Sequence, residues 1–438
     1  MLFYLELLLE IIIGYKILFE KEKTKLFLWF LASAILLHPG FKYGQGVPAV
    51  NWMIPIIGMC RLVKDRSLFS FYRLYPLKYL FGVLLLFHFI QPLFSSFRDL
   101  GITYFYIIQY TMSTYLYLFL GFCFAPDYHE LLKRKKWIYV MLFIISAIAI
   151  ISSYYEYNFI SEEIVENTIW TSEKAETERG FRTTSTVASP NVFGYINVLF
   201  LLFVIRMRGS YFGKGIALLL IMTNIVLCAT RAPMAGLFFS LGVYLLMERK
   251  GTVLKGVIST LLALSLISYF YGTNETIDKY FSGVTDLFLT GSENTGGSTV
   301  ELRQAQLAYS MTFADDKPFW GQGLGFCNSI LDEESPNHVY FDKDLAGAEG
   351  YAFYLLIDYG YIYIAIVILY FLYIIVFFIK NSVKYRDICV LGLPVTIALL
   401  VHLVTSRPDN SWQVFMPVIG ACMGMIVFAR QRRKMIGI

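Results

Sequence analysis

The chain has 438 residues, 57% of them hydrophobic and 16% charged, with a net charge of +5. A soluble domain carries roughly 25% charged residues, and the basic residues here are scattered over many short loops, which excludes the concentrated patch of a nucleic-acid binder. The six cysteines provide neither a disulfide framework nor a metal-like Cys/His spacing, since five of them (Cys60, Cys123, Cys228, Cys389 and Cys422) fall in or beside apolar blocks.

Taken in chain order, thirteen apolar blocks have the length a helix needs to cross a bilayer, roughly 17–25 residues. They are 2–19, 25–40, 47–63, 76–96, 102–124, 136–153, 190–207, 214–230, 231–247, 252–271, 360–379, 387–404 and 411–429. Helix is the only assignment that satisfies every backbone amide within its own segment in lipid. The expected fold is therefore an all-α integral membrane protein, a polytopic helical bundle of about 12–14 transmembrane helices forming a single domain over 1–438. The first block lacks a basic flank and a small-residue cleavage site, and reads as a retained helix. It carries Glu6 and Glu10, whose spacing of four puts both on one face.

Lysine and arginine set the orientation. Alternate loops are basic: Lys21 to Lys25, Arg61 to Lys78, Lys133 to Lys136, Arg206 to Lys214, Arg249 to Lys255, Lys380 to Arg386 and the tail Arg430 to Lys434. The positive-inside rule assigns these to the cytoplasm, with the amino terminus outside and the carboxyl terminus inside. Of 37 basic residues, 26 fall on the inner side and 11 on the outer.

Two outer loops are long, 152–189 and 272–345, and connections beyond roughly 15 residues are usually functional or disordered. The second has internal order. GGSTVELRQAQLAYSMTF contains a capping box from Ser298 to Glu301, followed by Leu302, Ala305, Tyr309 and Phe313 at helical spacing. GQGLGF at 321–326 lacks the Lys-Ser/Thr ending of a phosphate loop and reads as a turn. Asp315 and Asp316, beside Pro318 and Trp320, fit a helix end better than a metal site. AGAEGYAFYLLIDYG then forms a short apolar segment ending at Gly360, a candidate half-helix entering from outside.

The outward cations are informative because topology selects against them. Six of the eleven are arginines (Arg98, Arg179, Arg182, Arg231, Arg303 and Arg407), and the guanidinium fork suits bidentate phosphate binding. Arg231 sits between two spans with almost no loop around it, and an ionisable group at that depth is a functional candidate; the bland alternative is a side chain reaching the outer headgroups. For Arg182 and Arg303 the alternative is a solvated or salt-bridged loop cation. His338 is an external loop histidine, while His38, His88 and His402, near outer span ends, are candidates to line a cavity but receive a bland reading.

Four segments carry a family resemblance: RTTSTVASPNVFGYI at 182–196, ATRAPMAGLFF at 229–239, the stretch 296–326, and AEGYAFYLLIDYGYIYI at 348–364. In their order and outward placement they resemble the O-antigen polymerase/ligase superfamily of bacterial surface polysaccharide assembly. The resemblance covers about 180–380; the first half matches only as a bundle of helices. Ligases of that family have a histidine eleven residues before the glycine of the closing segment. Here Glu349 holds that position relative to Gly360, with His338 eleven residues further upstream, which favours a polymerase.

What the resemblance implies is a donor made of an oligosaccharide repeat unit on a polyprenyl (undecaprenyl) diphosphate, at the outer face of a bacterial cytoplasmic membrane. Arg231, Arg182 and Arg303 would hold the diphosphate, and Glu349 or His338 would act as base. No metal or other cofactor is required, since the bond energy lies in the diphosphate. A flippase and a chain-length regulator are the implied partners besides the bilayer. The rival readings are a ligase moving a finished glycan to a lipid or protein acceptor, and a non-enzymatic flippase or transporter, whose charges would lie nearer the midplane.

Overall fold

The computed structural model describes residues 2–38, 42–43, 47–48, 52–94, 108, 110–164, 181–187, 189–207, 210–230, 232–248, 300–331, 350–406 and 411–436. These are almost entirely helical; among the described residues the one β pairing is a two-residue antiparallel bridge, Lys42–Tyr43 with Val47–Pro48. The first half contains α1 (Leu2–Phe19), α2 (Lys23–Leu36), α3 (Ile54–Lys64), α4 (Leu68–Leu74), α5 (Lys78–Ile90), α6 (Tyr115–Cys123), α7 (Tyr128–Lys133), α8 (Lys135–Tyr155) and α9 (Phe159–Ile164). The second contains α10 (Pro190–Arg206), α11 (Tyr211–Leu227), α12 (Ala232–Met247), α13 (Val300–Asp316), α14 (Phe326–Leu331), α15 (Tyr351–Asn381), α16 (Arg386–Thr405) and α17 (Ser411–Ile436).

Four of these helices, α8, α15, α16 and α17, are long and apolar enough to cross a membrane, and α4 with α5 adds a fifth if that pair, bent by 107°, counts as one span. This is fewer than the thirteen blocks of the sequence. Helices α10, α11 and α12 are apolar but stop at 16–17 residues, and α1 is long enough but carries Glu6, Glu10 and Lys16. The block 252–271 and most of the second long loop lie outside the described residues.

The distribution of polarity on the helices fits lipid rather than water. Helix α1 buries Glu6, Glu10 and Gly14 while exposing Leu5, Leu8, Ile11, Ile12 and Tyr15. A helix on a water-soluble domain does the reverse, and an apolar face of this extent would otherwise promote aggregation. Helix α15 repeats the pattern, with Ile368, Leu369, Leu372, Val376 and Ile379 exposed.

At the centre of the bundle, α17 crosses α6 at backbone contact. A Cβ on Gly420 would fall 2.0 Å from the Leu118 carbonyl oxygen, and one on Gly121 2.3 Å from that of Pro417. Small residues that let two backbones meet are a common way for helices to associate where apolar burial gives little net drive.

The basic segments gather at one end of the bundle. Arg134 donates to both carboxylate oxygens of Glu22, at 2.8 and 3.0 Å. Arg206 reaches Glu248, Asp387 and the Tyr128 hydroxyl, and Arg386 donates to the Met247 carbonyl. Lys23 lies over the rings of Phe71 and Phe428. Together these contacts tie the ends of α2, α4, α7, α10, α12, α16 and α17 into one layer.

Candidate functional site

The opposite end is built around the segment 181–187, which enters the bundle without regular structure. Such a segment must satisfy its backbone and hydroxyls through neighbours, and it does. The Thr183 amide donates to the Leu227 carbonyl at 3.2 Å. The Asn158 side chain takes both roles, accepting from the Thr184 amide at 3.1 Å and donating to the Arg182 carbonyl at 3.2 Å. Ser185, at φ 54°, donates to the Ile145 carbonyl, and Thr186 to that of Ile35. Ser189 then caps α10 through the Val192 amide, with Pro190 in the first turn. One loop is thereby fastened to α2, α8, α9 and α11.

That geometry places the half-buried Arg182 against the turn that carries Arg231. Its guanidinium lies within electrostatic range of Cys228, whose thiol meets Thr230 at 3.3 Å. Ala229 takes a left-handed conformation, φ 47°, to make the turn into α12. Arg231 lies outside the described residues, between Thr230 and Ala232. The Ala232 carbonyl accepts from the Tyr195 hydroxyl at 2.8 Å, so α10 and α12 begin side by side.

Two further helices start nearby. Trp412, in the first turn of α17, packs its ring 5.7 Å from that of Tyr351, in the first turn of α15, and Tyr195 of α10 packs against Phe415 of α17. Helix amino termini carry partial positive charge, so the starts of α10, α12, α15 and α17 and the Arg182 guanidinium contribute the same sign to this end of the molecule.

The short helix expected to end at Gly360 is present as the first part of α15. Gly360 interrupts the helical backbone there, at φ 72°, ψ −173°. The buried Asp358 carboxylate accepts from the amides of Gly325 and Cys327, at 2.9 and 2.7 Å, and its carbonyl accepts from the Gly323 amide and the Gln91 side chain. The 321–326 turn is thus clamped onto the break, with Gly321, Gly323 and Gly325 all at positive φ. Asp316 accepts from the Gln322 side chain and Asp315 from the Tyr361 hydroxyl, so the two aspartates hold the end of α13 to this turn and to α15.

Arg303 belongs to α13, which packs along α15, but its side chain lies outside the described residues, as do Glu349 and His338 altogether. Of the five expected site residues, the structure brings together Arg182 and the flanks of Arg231. Among the described residues no group of three or more His, Cys, Asp or Glu side chains is arranged for a metal.

Two polar features were not anticipated as part of a site. Glu6 accepts from the backbone amide of His38 at 2.6 Å, and the His38 ring meets Ser161, which meets Thr184 at 3.0 Å. This joins α1 to the Arg182 loop. It is not a nucleophile triad, because the carboxylate holds the backbone of the histidine rather than its ring. The second is His402, fully buried in the last turn of α16 with its ring 4.3 Å from that of Tyr195. The sequence signals were ionisable residues within apolar blocks: Glu6 with Glu10 on one helical face, and His38 and His402 near outer span ends. No protein-family model matches this sequence, and no curated protein does.

Proposed function

We propose that the chain is a polytopic bacterial inner-membrane glycosyltransferase that joins oligosaccharide repeat units, carried on polyprenyl diphosphate, into a surface polysaccharide of the O-antigen or capsule type. The observation that carries the reading is the meeting of the Arg182 loop and the Arg231 turn among four helix starts, at the end of the bundle opposite the basic layer. With the basic layer cytoplasmic, this end faces outward, the amino terminus is outside, and the loops 152–189 and 272–345 belong to the outer side.

The chemistry follows from charge. A sugar 1-diphosphate leaves readily once its charge is neutralised, and preorganised cations accomplish this in a dry site. The acceptor sugar hydroxyl attacks the anomeric carbon, the carbon–oxygen bond to the diphosphate breaks, and a base takes the hydroxyl proton. Glu349 or His338 supplies that base, and direct displacement inverts the anomeric centre. An apolar groove of about 460 Å³, lined by Met59, Phe81, Leu85, Phe89, Met112 and Phe119, is suited to the isoprenoid chain.

Purified protein mixed with polyprenyl diphosphate-linked repeat units tests the reading: a ladder of products supports it, a single transfer to an added acceptor points to a ligase, and movement across vesicles without new glycosidic bonds points to a transporter. Reporter fusions at Ser172, Lys135 and Glu293 test the orientation, with the first and third expected outside. A cytoplasmic signal at Glu293 overturns the site assignment.

A further inference from the structure

Buried hydroxyls and amides in this protein generally have local partners. Thr405 donates to the Val401 carbonyl, Thr396 to Gly392, and Asn381 donates to the Phe377 carbonyl while accepting from Arg430. Several polar groups at the end of α16 and the starts of α15 and α17 differ. Among the described residues, both ring nitrogens of His402 are buried without a hydrogen-bond partner, and so are the Ser406 hydroxyl, the Trp412 indole nitrogen and the Tyr351 hydroxyl. His402 and Ser406 are four residues apart on the same helix end, and Trp412 stacks edge-on to Tyr351. Tyr195 packs on both His402 and Phe415, one turn along from Trp412, so the groups share one end of the bundle. Each such buried, unmade hydrogen bond costs about 1–3 kcal/mol, so each calls for a partner.

The chemistry of the set is specific. All four side chains lack a fixed negative or positive charge in their neutral forms, three can both donate and accept, and three are aromatic rings. That combination matches a polyhydroxylated ligand, whose every hydroxyl donates and accepts and whose ring faces pack on aromatic surfaces. It lies beside the cationic turn: the Tyr195 ring that covers His402 belongs to the residue whose hydroxyl bonds Ala232, next to Arg231.

We propose that the end of α16 and the starts of α15 and α17 form a glycan subsite, in which His402, Ser406, Trp412 and Tyr351 hydrogen-bond sugar hydroxyls while Arg182 and Arg231 hold the diphosphate. The inference rests on the proposed function for the identity of the donor, but it is independent of whether the enzyme extends or transfers the glycan. A site built to hydrogen-bond hydroxyls discriminates strongly against a ligand lacking them, because its own polar groups are then left unpaired.

The test uses the full-length protein in nanodiscs and two probes: undecaprenyl diphosphate without sugar, and polyprenyl diphosphate-linked oligosaccharides extracted from the source membranes. His402→Phe, Trp412→Phe and Tyr351→Phe keep a ring in place and remove the polar atoms. The expected result is binding of the oligosaccharide probe weakened about tenfold or more per variant, binding of the sugar-free probe unchanged within twofold, and melting temperatures equal to or above wild type. Tenfold corresponds to about 1.4 kcal/mol. Variants that bind both probes like wild type, that lose both equally, or that melt several degrees lower overturn the subsite and leave the proposed function standing. Wild-type protein that binds neither probe overturns the proposed function, and the subsite with it.

Discussion

Gly321 and Gly360 touch backbone to backbone: a Cβ on Gly360 would lie 2.8 Å from the Gly321 nitrogen, and one on Gly321 2.5 Å from the Asp358 carbonyl carbon. Gly360 also has φ 72° and ψ −173°, a region open essentially to glycine alone and costing other residues about 1–3 kcal/mol. Gly360→Ala is therefore expected to lower stability by about 3 kcal/mol or more, conformational strain and clash together. Gly82, inside α5 with nothing within 4 Å of an added Cβ, is the control: Gly82→Ala should be neutral or stabilising by about 0.5–1 kcal/mol. Thermal unfolding of both variants in detergent checks the contrast; equal effects would remove the crossing as the reason for these glycines.

Asp358 should be separable from its asparagine analogue. Asp358→Ala leaves the Gly325 and Cys327 amides without their acceptor, at about 1–3 kcal/mol each. Asp358→Asn keeps one oxygen and should cost about half as much. A melting series that ranks wild type, Asn and Ala in that order supports the clamp; Asn and Ala variants indistinguishable from wild type would place the fastening of the 321–326 turn elsewhere.

Arg231→Lys keeps the charge and removes the fork. Polymer formation is expected to fall on the order of 10²-fold at normal protein levels. Arg182→Lys should fall less, because the adjacent turn supplies a second cation. Wild-type output from Arg231→Ala would remove Arg231 from the site.

Glu349→Gln separates a base from a helix-capping carboxylate. The amide caps a helix nearly as well but takes no proton. The expected variant accumulates normally, binds lipid-linked donor and makes no polymer. Normal chain growth would move the base to His338, and His338→Ala would then be the decisive variant.

On the basic layer, hydrogen bonding to Lys25, followed by that to Arg134, holds the Glu22 carboxyl below its ordinary value. A depressed folded-state pKa means that the contribution is present above the unfolded value, roughly 4.3, and is lost as pH falls through the lower folded value. Glu22→Gln should flatten the pH dependence of the melting temperature in that acid window and change nothing at pH 7–8 beyond the small loss of an exposed pair. An unchanged acid slope would show that other carboxylates carry it.

Residues differ in how far local pattern exposes their part in the fold. Apolar block length announces helices because a bilayer-length run has few other solutions, and the glycine at 360 announces a break because glycine alone tolerates such backbone. The 321–326 turn is readable for the same reason, but not its attachment to Asp358, since a carboxylate inside an apolar run does not reveal which distant amides it will meet.

Single residues and short windows were enough for the helical class, the alternation of basic loops and the candidate arginines, because each depends on properties that need no knowledge of distant neighbours. It took the folded chain to show that the Arg182 loop lies against the Arg231 turn, that Glu6 and His38 connect to that loop through Ser161, and that His402 is buried beside Tyr195. These are relations between segments tens to hundreds of residues apart. They arise from which helices pack together, and packing in such a bundle is selected by small residues, ring shapes and buried polar pairs whose partners no local pattern names.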